Sequence, residues 1–226
     1  MAQVAPIGLG NLPQPPAPGQ ASPDGAQLYA FNGSLFYQDA AGNSWALNAP
    51  RGDILPTDQG LLEWNYDPAA ANATGTSLTN GSVFLQRIQV RAPMLITKVW
   101  AHLTNAAVTP TAGQSAVGLY NSAGTLLSGS GDTGSTLSGS TGAISMSLSN
   151  PQNVGAGFYW VALLGNAATA AKLTASVNGA GNANVGLTAA GFRFCVNGTS
   201  QTSLPASITP SSNTATGAQT FWVGVS

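Results

Sequence analysis

The sequence predicts an all-β protein, in which a jelly-roll-type β-sandwich over residues 81–226 follows a Pro-rich extended arm and a short β-hairpin module. Apolar residues recur at every second position in many short segments after Val83, which is the period of a strand with one buried face. Breaks rich in Gly, Asn, Ser and Pro separate these segments, and no segment keeps the 3.6-residue period of an amphipathic helix. Roughly nine strands without helices indicate two packed sheets.

The first element is the arm, residues 1–24, which is dense in proline and glycine. Such a composition prevents a helix and favours extended chain. Apolar side chains are spaced through it, and they predict an arm that becomes ordered on a partner; a disordered leader is the alternative. The anchors expected in such an arm are Val4, Ile7, Leu9 and Leu12.

Residues 25–48 have the pattern of a β-hairpin module. Asn32-Gly33 separates two apolar runs, and this pair is a strong hairpin signal because both residues tolerate positive φ. Three strands this short are marginally stable alone. We therefore expect their aromatic side chains, including Tyr29 and Phe31, to be buried against another chain or the main domain. The predicted strands are 27–31, 35–38 and 44–47.

Residues 49–80 are predicted to be a linker, because small residues dominate its second half and run through residues 69–81. Near its start the segment contains Arg51-Gly52-Asp53, a three-residue match to an integrin-binding motif. We interpret this match as an ordinary turn, since so short a motif is common by chance.

Two segments of the predicted sandwich have especially clear patterns. In one, Ile144, Met146 and Leu148 alternate with serines, as in a strand with one buried face. In the other, residues 158–164, both faces are apolar, so we expect a strand that is central in its sheet or lies at an interface. The long loops between strands are the usual places for recognition. The predicted strands are 83–91, 96–103, 115–120, 125–128, 143–148, 158–164, 172–177, 192–196 and 220–225.

Charged residues make up 6% of the chain, against about 25% in an average soluble domain. A surface of hydroxyl and amide groups costs little to desolvate, and it suits a protein that packs against other subunits. Acidic residues concentrate in the N-terminal part and basic residues after it, which indicates either complementarity between subunits or a scatter of solvated charges. The net charge of -1 and the unclustered basic residues argue against nucleic-acid binding.

The materials for catalysis are few, because the chain holds one His, one Cys and one Glu. We interpret Cys195 as a core or sheet-face residue, and His102 as a sheet-face residue or a hydrogen-bond partner between subunits. Glycoside hydrolysis needs two carboxylates, and the predicted sandwich contains only Asp132. Zinc ligands are not clustered, and calcium binding through Asp132 or Asp58 has no supporting pattern. We predict a protein that is not an enzyme and uses no cofactor or metal.

The sequence has no pattern typical of a targeting or membrane-spanning segment. Its start lacks a basic region followed by an apolar stretch, and no run of about 18 apolar residues occurs. We expect neither export by a signal peptide nor membrane insertion.

Two stretches resemble parts of known phage proteins. The first is GAQLYAFNGSLFYQDAAGNSWAL, residues 25–47, which resembles the hairpin module that follows a Pro-rich start in minor structural proteins of tailed phages infecting actinobacteria. The second is VGLYNSAGTLL, residues 117–127, followed by GAGFYWVALL, residues 155–164. This pair is similar to the jelly-roll domain of phage tail fibres, head fibres and decoration proteins.

The resemblance implies a structural protein of the virion, a homotrimer that the arm and the hairpin module attach to the particle. Its partners would be further copies and other virion proteins, above all the major capsid protein. A capsid decoration or head-fibre protein is the first expectation; a minor tail protein that recognises a host surface glycan is the alternative. Large aromatic residues serve ligand contact as well as sandwich cores. The candidates by residue type for ligand or subunit contact are Trp64, Tyr66, Trp100 and Trp222.

Overall fold

The computed structural model describes residues 27–31, 34–38, 44–46, 54–176 and 182–226, and the chain divides into an N-terminal unit (residues 1–53) and a sandwich unit (residues 54–226). The described part of the N-terminal unit is an antiparallel sheet in the order β1-β2-β3. Its strands are β1 (Gln27–Phe31), β2 (Ser34–Gln38) and β3 (Ser44–Ala46). The three predicted strands of the hairpin module are therefore present. The arm and its four expected anchors lie outside the described residues.

Within this small sheet, the predicted aromatic face forms through pairing of β1 with β2. Tyr29 lies opposite Phe36, and their rings stack with centroids 5.2 Å apart. Tyr29 is buried, whereas Leu28 on the same strand is exposed. Phe31 is opposite Ser34 at the end of the strand pair. The alternation along β1 thus follows the period of two that the sequence predicts.

Over residues 54–176 and 182–226, thirteen strands form the sandwich unit's sheets, and nine of them overlap the nine predicted segments. They are β4 (Glu63–Trp64), β5 (Ala71–Ser77), β6 (Phe84–Val90), β7 (Met94–Asn105), β8 (Val108–Pro110), β9 (Ala116–Asn121), β10 (Leu126–Gly129), β11 (Gly142–Val154), β12 (Gly157–Leu164), β13 (Ala167–Thr169), β14 (Lys172–Ser176), β15 (Phe194–Val196) and β16 (Val223–Val225). A one-turn α-helix, α1, spans Gly134–Leu137. Short 3-10 helices span Pro56–Gln59, Pro68–Ala70, Asn182–Asn184, Ala189–Gly191 and Pro210–Ser212.

Two antiparallel sheets face each other. The front sheet has the order β10-β9-β12-β6-β15, and the back sheet has the order β4-β16-β7-β14-β5, with β11 also paired to β7. From β6 onward, successive strands mostly alternate between the two sheets, which is typical of a jelly-roll-type sandwich. The all-β sandwich predicted from the sequence is confirmed.

The main core lies between the two sheets. Phe84 of the front sheet meets Phe221, which precedes β16, edge to face with ring centroids 5.1 Å apart. Both side chains are almost completely buried. On β11, Ile144, Met146 and Leu148 are buried, and the serines between them are exposed, as predicted. The core therefore forms from alternate residues of many short strands, as the sequence pattern requires.

A second core covers the outer face of the front sheet. Trp160 and Tyr120 belong to it, and the cover loop (residues 199–212) lies over them with Ile208 buried and Leu204 packed alongside. The Tyr120 hydroxyl donates a hydrogen bond of 2.6 Å to the carbonyl of Pro205. Strand β12 is central in its sheet and apolar on both faces, as predicted. Its outer face is covered by the chain itself, so this strand needs no second subunit to bury it.

The structure corrects the predicted linker, because residues 54–80 belong to the sandwich unit. Strand β4 pairs with β16, and strand β5 pairs with β14 at the edge of the back sheet. Leu61 and Leu78 are buried. Strand β5 has the sequence ANATGTS, which carries no apolar alternation, so its strand conformation comes from pairing with β14 rather than from a buried face. The Arg-Gly-Asp segment lies outside the described residues.

Gly124→Ala is expected to destabilise the sandwich by about 2–4 kcal/mol. Gly124 has φ of +91°, and its carbonyl accepts a hydrogen bond of 2.8 Å from the Ile208 amide of the cover loop. A Cβ at this position would overlap the Ile208 carbonyl oxygen. Gly217→Ala is the matched control, since Gly217 has φ of +71° with open space around it. Urea unfolding should show a loss of about 1 kcal/mol for the control; equal losses in both variants would contradict the predicted overlap.

Candidate functional site

Two of the predicted contact residues form a row across the back sheet. Gly224 of β16 lies opposite Trp64 of β4 on one side and Trp100 of β7 on the other. Directly opposed residues project from the same face of a sheet. Trp100 alternates with the buried Val99 and Ala101, so this is the outer face. The two indoles thus flank a glycine on the outer face.

The other two candidates are joined to each other. The Trp222 indole donates a hydrogen bond of 3.1 Å from Nε1 to the Tyr66 carbonyl, and the Tyr66 hydroxyl donates one of 3.0 Å to the Thr220 carbonyl. Burial raises the pKa of the Tyr66 phenol well above its usual value. Trp222 is 7% exposed, so its ring is largely a packing element, whereas Trp64, Tyr66 and Trp100 are half-buried.

A cavity of about 330 Å³ opens beside Trp222 on the sandwich unit. His102 is exposed there, and its Nδ1 lies 2.8 Å from Oγ1 of Thr174. This confirms the interpretation of His102 as a sheet-face residue. The lining offers the His102 imidazole and the Asn72 amide, which are groups for stacking and hydrogen bonding. The lining residues are Gln59, Pro68, Ala71, Asn72, Ala73, His102, Ala143, Thr174 and Trp222.

Two arginines of the front sheet form a pair that the sequence analysis missed. Phe194 pairs with Gln86, so the register places Arg193 opposite Arg87, and the Arg87 amide donates to the Arg193 carbonyl at 2.8 Å. The Arg87 guanidinium lies 5.1 Å from the ring centroid of Phe158. Burial, followed by the charge of Arg193, lowers the pKa of Arg87.

A second cavity, of about 360 Å³, lies next to this arginine pair. Two polar side chains of its wall are fixed by hydrogen bonds to backbone carbonyls. Asn65 Nδ2 donates to the Phe221 carbonyl at 2.7 Å, and Gln86 Nε2 donates to the Gln219 carbonyl at 2.8 Å. The wall is therefore ordered by hydrogen bonds within the chain. The lining residues are Asn65, Tyr66, Ala70, Gln86, Arg87, Ser176, Ala183, Arg193, Phe194 and Thr220.

The carboxylates of the two acidic residues considered for calcium binding accept hydrogen bonds from backbone amides. Asp132 accepts from the amides of Gly113, at 2.8 Å, and Gly134, at 3.1 Å. Asp58 accepts from the Leu55 amide at 2.8 Å, at the start of the first 3-10 helix. Both carboxylates therefore organise their own loops. Within the described ranges, no group of three or more His, Cys, Asp or Glu side chains is placed to hold a metal ion.

Asp132→Asn is expected to reduce the acid sensitivity of the fold. Hydrogen bonds from the Gly113 and Gly134 amides hold the pKa of Asp132 below its usual value. A depressed pKa in the folded state contributes stability above the unfolded pKa of about 3.9, and this contribution is lost as pH falls through the folded value. Because the side chain is exposed, the difference at pH 7 should stay under about 1 kcal/mol. Thermal melts from pH 7 to pH 2 test this: parallel curves for the two proteins would refute it.

Two further features bear on the functional class. Cys195 is completely buried, and burial raises the pKa of its thiol, so it is the core residue that the sequence predicted. No helix among the described residues is long and apolar enough to cross a membrane.

Comparison with known proteins gives no family for the chain. No family model matches the sequence, and no curated protein matches it significantly.

Proposed function

We propose that this chain is a non-enzymatic structural protein of a tailed-phage virion, which displays the sandwich unit and attaches to the particle by its N-terminal unit. The observation that carries the proposal is the division of the chain. Residues 54–226 form a compact unit with a hydrophobic core of its own, and residues 1–53 form a separate unit. Separate units of this kind allow one part to attach while the other projects. The scarcity of charge supports a protein that works packed among other subunits.

The proposed assembly is a homotrimer on the major capsid protein, as a decoration or head-fibre protein located in the virion. Since the cover loop buries the outer face of β12, the self-contact is assigned to another surface. Ile54, Leu55 and Leu62 are 54%, 43% and 37% exposed, and they lie on the segment that leads into the edge strand β4. An exposed apolar group beside a sheet edge is suited to contact between subunits.

Two measurements test this proposal. Sedimentation equilibrium of the full chain should give three times the 22.6 kDa chain mass. Gold-labelled antibody against the chain should mark symmetric positions on the heads of particles whose genome encodes it. Label at the tail tip would move the role to adhesion, and unlabelled particles together with a stable monomer would refute the virion assignment.

A second candidate function is recognition of a host surface glycan by a minor tail protein. The cavity beside Trp222 favours it, because the exposed imidazole of His102 and the Asn72 amide lie together there. Aromatic faces and amides are common in sugar sites. A glycan array at about 100 μM protein tests this function. A hit that is weakened by His102→Ala would support it, and an array without any binder would contradict it.

A further inference from the structure

The arginine pair (Arg87 and Arg193) lies on the outer face of the front sheet, since Arg87 is opposite Trp160 of the second core. The Arg87 amide donates a hydrogen bond to the Arg193 carbonyl, so the two side chains start from opposed positions on neighbouring strands. Like charges in this relation destabilise a sheet. In the described part of the chain, neither guanidinium has a carboxylate within ion-pair distance. The described residues therefore leave this positive charge uncompensated.

An aromatic ring lies beside the pair on the same face. The Arg87 guanidinium donates a hydrogen bond of 2.6 Å to the Gly191 carbonyl and lies over the Phe158 ring, which is half-buried. Arg193 is exposed, and its side chain has no hydrogen-bond partner among the described residues. Arginine and aromatic residues are enriched where proteins contact partners. We call Arg87, Phe158 and Arg193 the arginine patch.

The start of the sandwich unit, residues 54–62, has the complementary chemistry, and we call it the entry segment. Ile54, Leu55 and Leu62 are exposed apolar residues of this segment, and the exposed Asp58 carries its only charge. One carboxylate oxygen of Asp58 accepts a hydrogen bond from the Leu55 amide. No cation of the described residues lies within ion-pair distance of Asp58. Since a carboxylate accepts several hydrogen bonds, the Asp58 side chain can bind a further donor.

A cyclic trimer needs two different surfaces on each chain. In a ring of three, one surface of each chain contacts a different surface of the next chain, whereas a single self-complementary surface gives a twofold dimer. The entry segment supplies one surface, with exposed apolar side chains around a negative charge. The arginine patch suits the other surface, because it carries the opposite charge around an aromatic ring.

We propose that the entry segment of one chain binds the arginine patch of the next chain, with Asp58 paired to Arg193 and the apolar side chains against the Phe158 ring. This inference rests on the proposed homotrimer and names its interface. A carboxylate beside the two arginines offsets the repulsion between them. The interface also accounts for the separation of acidic and basic residues along the sequence as complementarity between subunits.

The test is a double-mutant cycle on the full chain, measured by sedimentation equilibrium. Arg193→Gln removes one charge of the proposed pair, and Asp58→Asn removes the other while it keeps a side-chain oxygen for the Leu55 amide. Each substitution should raise the concentration at which half of the chains are assembled by about tenfold or more. The double variant should assemble at least as well as the weaker single variant, because the two groups act on each other.

Lys172→Gln and Asp132→Asn are the matched controls. Each removes one exposed charge of the same sign as Arg193 or Asp58, from a position outside the arginine patch and the entry segment. Neither should change the assembly. Arg193→Gln and Asp58→Asn should also keep the circular dichroism spectrum of the wild type, because neither removes a hydrogen bond found within the described chain.

The outcomes separate this interface from the proposed trimer itself. A wild-type chain that sediments as a monomer or a dimer would contradict the trimer, and the interface with it. A trimer that Arg193→Gln and Asp58→Asn leave unchanged would overturn the interface alone. Losses that add in the double variant would overturn the pairing of the two residues. A changed spectrum of either variant would show that its residue supports the fold, which would overturn its assignment as a free interface group.

Discussion

Trp160→Ala should lower the free energy of unfolding by about 3–5 kcal/mol, because it empties the centre of the second core. Trp160 is completely buried on β12, the middle strand of the front sheet. It packs in one cluster with Tyr120 and Ile208, so its loss should also loosen the cover loop. Urea unfolding measures the first effect, and the rate of proteolysis within residues 199–212 measures the second.

Trp160→Phe is the control for this prediction. The Trp160 Nε1 atom is buried without a hydrogen-bond partner in the described part of the chain. Phenylalanine keeps most of the ring volume and removes this unpaired donor, so the loss should be below about 2 kcal/mol. If both variants are equally destabilised, the indole contributes through something other than its bulk.

The second large effect is expected for Phe221→Ala, at about 3–5 kcal/mol. Phe221 is completely buried in the main core and meets Phe84 edge to face. The substitution removes both the apolar burial and the aromatic contact between the two sheets. Phe84→Ala and the double variant complete a cycle, in which the coupling should be about 0.5–1.5 kcal/mol.

Leu187→Ala is the matched control for Phe221→Ala, since Leu187 is 39% exposed in a loop. Its unfolding free energy should change by less than about 0.5 kcal/mol. Additive losses at Phe84 and Phe221 would contradict the direct contact between the two rings.

The strands with apolar alternation could be predicted well, because each has one face that must be buried. On β11 the three residues predicted to be buried, Ile144, Met146 and Leu148, are buried. Strands β5 and β4 could not be predicted in this way. The first consists of small polar residues at an edge, and the second is two residues long. Both exist because of backbone pairing with strands that lie far away in the sequence.

In the candidate sites too, the sequence predicts which residue types are suited to contact, but it does not predict which residues the fold brings together. Residue type alone selected Trp64 and Trp100, and the sheet register places them on either side of Gly224. The pairing of Arg87 with Arg193 left no signal in the sequence, since it depends on which strand lies beside β6. Alternation predicts which face a residue occupies but not which neighbour it meets.

The position of β16 has a consequence for how the protein reaches its native state. This strand lies inside the back sheet, between β4 and β7. The hydrogen bond from the Val223 amide to Asn65 Oδ1 joins residues 158 positions apart, and the bond from Trp100 Nε1 to the Ser226 hydroxyl joins residues 126 positions apart. Contacts so distant in sequence form slowly, on the millisecond-to-second scale for all-β domains of about this kind. During synthesis, β4 and β7 emerge from the ribosome long before the strand that joins them. The back sheet can therefore be completed only after β16 has been translated, and until then β4 and β7 lack the strand between them, which makes the incomplete sheet prone to aggregation.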